Sequence, residues 1–283
     1  MRVYTRPPAP ALAQLVRCFH AFDDVHAPQS ADHHLYPECA VSLSFLDGTS
    51  WFGPPGAAAG LLPVPPVFVD SATRGQRIRL VSLGRTRMVG VELYAWGAMR
   101  LFGPLLGVTP VVGPIVPPPL AARIARLLAA DELDTALDAV EQFITGRARQ
   151  IDLAPTAATE VAASLYASGG RGAITALADA QSLSVRQLER QFRDQVGMTP
   201  KTLARIARFE AAKNRLLDAP ATNLTNLAYE LDYADQAHFS RDFRAISSVS
   251  PSEYSAEVST PRMRRIAAMS HLFKEVIAPA RKL

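Results

Sequence analysis

Two runs of polar side chains in this 283-residue chain have the types and spacing to read the edges of nucleic-acid bases. In the first, Arg186, Gln187, Glu189, Arg190 and Arg193 are interleaved with Val185, Leu188, Phe192 and Val196, which recur at helical spacing on one face. In the second, Gln236, His238, Arg241 and Arg244 surround Phe239 and Phe243 in the same manner. The chemistry open to such side chains is directional hydrogen bonding. Arginine grips guanine O6 and N7 with two parallel bonds, glutamate accepts from cytosine N4, and glutamine matches adenine.

Side chains discriminate between bases only when a rigid element carries them into a groove, and the flanking sequence supplies one for each run. Ile174–Ala180 reads as a short helix with Ile174, Leu177 and Ala178 on one face. Gln181–Leu183 interrupts it, and Ser184 stands at the N-cap of a helix over Val185–Val196. The second copy is a helix from Leu224 to Leu231, a turn through Asp232–Ala234, a cap at Asp235 and a helix Gln236–Ile246. Both copies close alike, on Gly197-Met-Thr-Pro200 and Ser248-Val-Ser-Pro251, with Leu203 and Tyr254 three residues past the proline. Leu188 and Phe239 are equivalent and lie 51 residues apart. A helix-turn-helix unit of this kind sends its second helix into the major groove. Between the copies, Lys201–Asp218 reads as one helix that Ala219-Pro220 ends. About 15 helical residues span roughly 22 Å, which with the flanking units can set two reading helices about one DNA turn, ~34 Å, apart.

The runs Leu183-Ser-Val-Arg-Gln-Leu-Glu-Arg-Gln-Phe192, Gly197-Met-Thr-Pro200, Arg208-Phe-Glu-Ala-Ala212 with Leu216-Leu217, and Tyr233-Ala-Asp-Gln-Ala-His-Phe-Ser-Arg-Asp-Phe-Arg244 ahead of Ser250-Pro251 carry a resemblance. Residues 155–258 resemble the DNA-binding domain of the AraC/XylS family of bacterial transcription regulators. The family places Gly where this chain has Asp232 and Ser248, residues that also hold turn geometry. The resemblance implies base-edge contacts for Arg186, Glu189 and Arg190, with Gln187 and Arg193 flanking them. In the second helix it implies reading positions for Gln236, Ala237, His238 and Arg241, with Ser240 and Arg244 nearer the phosphates. His238 has a second reading as a structural residue beside the cap. Arg205 and Arg208 are read either as DNA contacts or as internal partners of Glu210 or Asp242. The backbone at Ser184 and Asp235 is a candidate to receive a phosphate.

The first 115 residues are rich in Pro and Gly, with short strand-like runs. Ala40–Leu46 alternates, and Asp47-Gly48 marks a turn toward Trp51-Phe52. Pro63–Val69 reads as an edge or connecting strand because its prolines cannot donate to a ladder. Arg77–Leu83 and Arg87–Tyr94 are the clearest strands, and Trp96–Leu106 turns helical. Pro110–Pro119 is linker-like. Two helical segments follow, one with Leu120, Ile124, Leu127 and Leu128, the other with Leu133, Leu137, Val140 and Ile144. The stretches Tyr36–Phe45 and Gly90–Phe102 resemble, more loosely, the family's regulatory domains.

The expected fold is therefore α+β. A cupin-like antiparallel β-barrel with helices occupies 1–115 and a helical dimerisation or linker segment 116–154. An all-α domain of two helix-turn-helix units joined by a linker helix spans 155–258, and a basic terminal helix 259–283. By resemblance the barrel binds a small-molecule effector, and a mouth lined by Tyr36, Phe45, Trp51, Phe68, Tyr94 and Trp96 is the place for it, each having plain core as its other reading. The alternative is a domain that binds a protein partner or only dimerises. The expected partners are double-stranded DNA, a second copy of the chain in a homodimer and, in an activator, RNA polymerase.

Composition narrows the other classes. With 48% hydrophobic and 20% charged residues the chain is ordinarily globular, and its length suggests two domains. The net charge of +4 is a property of the tail: residues 259–283 hold 6 basic against 1 acidic side chain, residues 1–154 hold 13 of each, and 155–258 hold 11 against 12. Bulk charge thus says little about DNA, and the placement of Arg says more. Cys18 and Cys39 make neither a disulfide framework nor a metal spacing. His33, His34 and Glu38 form the one His/carboxylate group in the amino-terminal part, but adjacent residues of a strand point to opposite faces, so no metal is expected. Gly-rich phosphate loops and Gly-x-Ser-x-Gly elbows are missing, which argues against an enzyme and leaves no cofactor to expect. Met1–Pro10 lacks the apolar core of a signal peptide and no run is long enough for a membrane span, so the expected location is the bacterial cytoplasm, at the nucleoid.

Overall fold

The computed structural model describes residues 2–54, 60–71, 78–104 and 115–260, with the backbone alone for 27–35 and 71. Six strands are seen among these: β1 (Arg2–Arg6), β2 (Val16–Leu35), β3 (Ala40–Gly53), β4 (Leu62–Pro63), β5 (Val67–Ser71) and β6 (Ile78–Tyr94). They form one antiparallel sheet in the order β1-β2-β6-β3-β4, with β5 on a separate stretch of β3. Alternation sets its faces: Val89, Val91 and Leu93 of β6 are fully buried beneath helices, while Gly90 and Glu92 look to the other side.

Ten α-helices are seen among the described residues, and the first three cover that apolar face. They are α1 (Ala95–Phe102), α2 (Pro118–Ala129) and α3 (Leu133–Ala148), followed by α4 (Ala157–Ala167), α5 (Ile174–Ala180), α6 (Val185–Val196), α7 (Pro200–Asp218), α8 (Leu224–Glu230), α9 (Gln236–Ser247) and α10 (Pro251–Val258). Ile124 and Leu128 of α2 and Leu137, Val140 and Ile144 of α3 are buried in the chain's own core. The amphipathic pattern that suggested subunit pairing is thus accounted for within one chain.

The barrel expectation is corrected: the sheet does not close. Closure needs β1 to bond to β4 or β5, and both edges are committed elsewhere. Arg2 binds Asp131, Tyr4 donates to Asp134 at 2.9 Å, and Arg6 reaches Glu141 at 3.0 Å, so β1 lies against α3 and the turn before it. At the other edge β4 is two residues long and ends at Pro63, which has no N–H to offer. Asp47-Gly48 is not a turn either. It lies inside β3, where Gly48 at φ +132° faces the extra residues of a bulge in β6 (84–86) and where a Cβ would meet the Arg85 carbonyl oxygen at 2.7 Å. The expected strands 77–83 and 87–94 are one continuous β6 that bends at Gly84. The expected basic helix falls on 261–283, outside the described residues, as does 110–114 of the linker-like stretch.

Two cores share the molecule. The larger runs from the sheet through α1, α2 and α3 into α4 and α6, and ends at Ala207 of α7. The smaller begins at Phe209 of α7 and gathers Leu227, Phe239, Phe243, Ile246, Tyr254 and Val258. At 19 residues, α7 is about 28 Å long and belongs half to each.

Candidate nucleic-acid interface

Each reading helix is begun by a side chain that satisfies its first amides. Ser184 accepts from the Gln187 N–H at 3.3 Å, and Gln187 Oε1 accepts from the Ser184 N–H at 2.9 Å, a reciprocal capping box. Asp235 accepts from the His238 N–H at 2.6 Å. The Asp235 carboxylate thereby occupies the end of α9 with a negative charge, which opposes a phosphate there. The Ser184 hydroxyl leaves α6 without that opposition.

The turns explain the two departures from the family pattern. Asp232 and Ser248 sit at φ +60° and +65°, in the left-handed region that glycine favours, as does Ser182 at +55° in the first unit. Both units therefore carry a left-handed residue in the turn and another after the reading helix, and at Ser182, Asp232 and Ser248 a non-glycine residue holds that conformation under strain. The spacing is not uniform. Ser182 and Asp232 are 50 residues apart, whereas Leu188 and Phe239 are 51 apart, so the second turn carries one extra residue, in the Tyr233-Ala234 segment. Tyr233 uses that room: it is buried, donates to Asp242 at 2.9 Å, and packs under the Arg208 guanidinium at 5.3 Å. Burial and the Asp242 charge push its phenol pKa up.

Leu188, Phe192 and Val196 are buried, and so are Phe239, Phe243 and Ile246, which turns the opposite faces of both helices to solvent. On α6, Arg186, Gln187, Arg190 and Arg193 are exposed and Glu189 half-exposed. On α9, Gln236, Ala237, His238, Arg241 and Arg244 are exposed and Ser240 half-buried. Several already have partners. Gln187 is spent on its cap, Arg193 pairs with Glu189 at 3.8 Å, and Gln236 accepts from Thr225 at 2.7 Å. Arg244 reaches Glu253 at 2.9 Å, and His238 meets the Tyr233 ring edge-on at 5.3 Å. Among the described residues, Arg186, Arg190 and Arg241 make no ion pair. Arg190 and Arg241 are equivalent positions of the two helices. On the linker helix, Arg205 pairs with Asp242, the internal reading of that residue, while Arg208 stacks on Tyr233 in place of an ion pair with Glu210 or Asp242.

Glu210 is instead the hub of a buried ionic cluster between the domains. Arg17 donates to it at 3.0 Å, the Cys39 N–H at 2.9 Å and the Tyr166 hydroxyl at 3.4 Å. Arg17 also faces Glu38 and Glu92 at 3.5 and 3.8 Å, and Lys213 binds Glu38. Burial raises the Glu92 carboxyl to about 7 against the pull of Arg17. The sequence signal for this cluster is a carboxylate on the apolar stripe of α7, beside Phe209 and one turn after Ile206.

The six aromatic candidates for an effector mouth do not converge. Phe45 is in the core, and Trp51 and Phe68 are half-buried on β3 and β5. Tyr36 packs edge-on against Tyr254 at 5.2 Å and donates to Glu257 at 3.1 Å, touching the second unit. Tyr94 and Trp96 alone come together, stacked at 4.6 Å on a cleft between the domains. Cys18 and Cys39 are buried free thiols. Among the described residues no group of three His, Cys, Asp or Glu could hold a metal, and no helix is long and apolar enough to cross a membrane. The side chains of His33 and His34 lie outside the described ones.

Residues 177–257 match the helix-turn-helix domain family. The chain is 38% identical over 76 residues to the HTH-type transcriptional activator RhaS of Escherichia coli. That match spans 27% of this chain and 27% of the length of the relative. Among solved structures, ToxT from Vibrio cholerae aligns over 86% of this chain and 99% of its own at 12% identity and a TM-score of 0.48. The AraC-like transcriptional activator CuxR aligns over 75% and 81% at 16% identity and a TM-score of 0.30. The paired helix-turn-helix units within residues 177–257 are thus similar to the helix-turn-helix domain family and to the matching part of the transcriptional activator RhaS.

Proposed function

We propose that the protein regulates transcription by binding double-stranded DNA sequence-specifically, with α6 and α9 in two successive major-groove segments. The observation that carries this reading is the pair of equivalent arginines, Arg190 and Arg241, on solvent faces of two capped helices whose other faces are buried. Arg186 is the second base-reading arginine of α6, and Glu189 and Ala237 complete the base-edge positions. Gln187, Arg193, Gln236, His238, Ser240 and Arg244 act at the flanks, holding the helices or meeting phosphates, which commonly take half or more of the contacts. Such work belongs in the bacterial cytoplasm at the nucleoid, with RNA polymerase as the further partner of an activator. A small-molecule effector bound against the sheet domain controls it, a role favoured by the contact of α1 with α6. Two copies pair as a homodimer through surfaces other than the buried stripes of α2 and α3.

The test is binding of the full chain to the DNA upstream of its own coding sequence, with random DNA as control, across a salt series. The expected result is a specific complex that weakens steeply with salt and remains tighter than the random one. Equal binding to both DNAs at every salt concentration contradicts the proposal.

A further inference from the structure

A cleft of about 520 Å³ opens between the sheet domain with α1 on one side and the helices α4 and α7 on the other, within the range of small-molecule sites. On the sheet side, Tyr94 and Trp96 stack with their planes 3° apart, and Tyr166 of α4 stands edge-on to Tyr94 at 5.3 Å. Facing them, Ala163 and Ala167 lie one turn apart on α4, and Ala207 and Ala211 one turn apart on α7. Small residues repeated at that interval make a smooth wall, suited to a flat ring system and indifferent to a branched one. The charges on the lining cancel. Arg100 and Glu160 have opposite sign, and Glu210 is already met by Arg17, the Cys39 amide and Tyr166. Asn214 adds a neutral amide.

We propose that this cleft binds a flat, uncharged, largely aromatic small molecule that touches both domains, and that its occupancy is coupled to DNA binding through α6. The proposal deepens the regulator reading above and rests on it. The route is short: α1 carries Trp96 and Arg100 into the cleft and packs against α6, while α7 carries Glu210 and joins the two reading units. A ligand shifts such an equilibrium only by its difference in affinity for the two arrangements, and the coupling is reciprocal. Regulatory couplings usually amount to roughly 5- to 150-fold.

The experiment uses the full chain and the neutral naphthyl ketone dye prodan. The chain has two tryptophans, so Trp51→Phe leaves Trp96 as its sole reporter. The expected result is saturable binding of one dye per chain that quenches Trp96. Ala163→Phe and Ala167→Phe, both at exposed positions, should weaken it at least about tenfold at unchanged melting temperature, by filling the cleft. The dye should also change affinity for the upstream DNA at least about 5-fold in the wild type and leave it unaltered in the filled variants. The anionic dye anilinonaphthalene sulfonate should bind more weakly. Absence of saturable prodan binding, binding that ignores both filled variants, or tighter binding of the anionic dye overturns the site. Binding without any change in DNA affinity overturns the coupling. If the dye binds as expected while upstream and random DNA are not distinguished, the regulator reading fails and the cleft stands.

Discussion

Leu188, Phe192 and Val196 of the first helix-turn-helix unit are buried in a core that continues through α1 and α4 into the sheet, whereas Phe239, Phe243 and Ile246 of the second pack among α7, α8 and α10. The local plan is otherwise shared: a capped reading helix, a left-handed residue in each turn, and a serine or threonine cap with proline after the closing residue. The difference lies in what each unit leans on. The first is an extension of the sheet domain. The second is held through α7, the ionic cluster at Glu210 and the contact of Tyr36 with Tyr254. A change in the sheet domain therefore reaches α6 directly, and α9 through the linker helix and through the contact of Tyr36 with Tyr254.

The largest effects should come from a charge placed in either core. Leu188→Asp and Phe239→Asp each bury an unpaired carboxylate, at about 4 kcal/mol or more. Both tryptophans, Trp51 and Trp96, lie in the sheet domain, so their fluorescence separates the two cases. Leu188→Asp should lower the tryptophan melting transition, while Phe239→Asp should leave it nearly in place and remove helical signal alone. Equal shifts in both variants would erase the distinction between the cores.

Breaking the ionic cluster should come next. Arg17→Met leaves Glu210 and Glu92 buried without their cation, which costs about 3 kcal/mol in chemical denaturation, the low end because Lys213 still serves Glu38. An unchanged midpoint would show that the cluster does not bind the domains together. The raised carboxyl of Glu92 gives a pH signature. Between its ordinary value near 4.5 and its folded value of about 7, the unfolded chain releases the proton first, so native stability drains away as pH rises through that window. Glu92→Gln should flatten the fall between pH 5 and 7 and change little at pH 4. A slope identical to wild type would place the group in water.

The two units should separate again on DNA. Arg190→Ala and Arg241→Ala should each cost about 1–3 kcal/mol at their own base pair and relax specificity there, as read by competition against single-base variants of the bound site. Uniform loss over all sequences would assign the arginine to phosphate. The smallest effect concerns the turns. Ser248→Gly and Asp232→Gly should stabilise by up to about 1 kcal/mol by releasing left-handed strain, against the greater freedom of glycine in the unfolded chain. Gly197→Ala in the first unit should lose a similar amount. Destabilisation by both glycine variants would mean that the serine and aspartate side chains carry the turns.

The sequence made the second half of the molecule legible because its rules are local. Ser184, Asp235, Gly197 and the spacing of Leu188, Phe192 and Val196 lie within a few turns of one another, and α6 has the predicted ends, Val185 and Val196. The sheet was harder to read, since pairing is set by contacts distant in sequence. Nothing around Arg2, Tyr4 and Arg6 announces a strand that meets acidic residues 129 to 135 positions away, and those pairs help keep the sheet from closing. Gly48 misled because Asp-Gly suits a hairpin turn and a strand that must face a bulge of its neighbour alike. The aromatic candidates are scattered in the structure for a similar reason. Type alone does not distinguish Phe45 in the core, Tyr36 against the second unit, and Tyr94 and Trp96 on the cleft. Arg17 and Glu210, 193 residues apart, could be suspected only as charges in apolar surroundings.

The most direct test of two reading helices in one chain is a base-resolution interference footprint of the full protein on DNA selected from a random pool. Two reading helices in one chain predict two blocks of essential major-groove contacts on one face of the duplex, about one helical turn or 10 base pairs apart. Arg190→Ala should blank the one and Arg241→Ala the other. A single block, or loss of the same block in both variants, would contradict that arrangement.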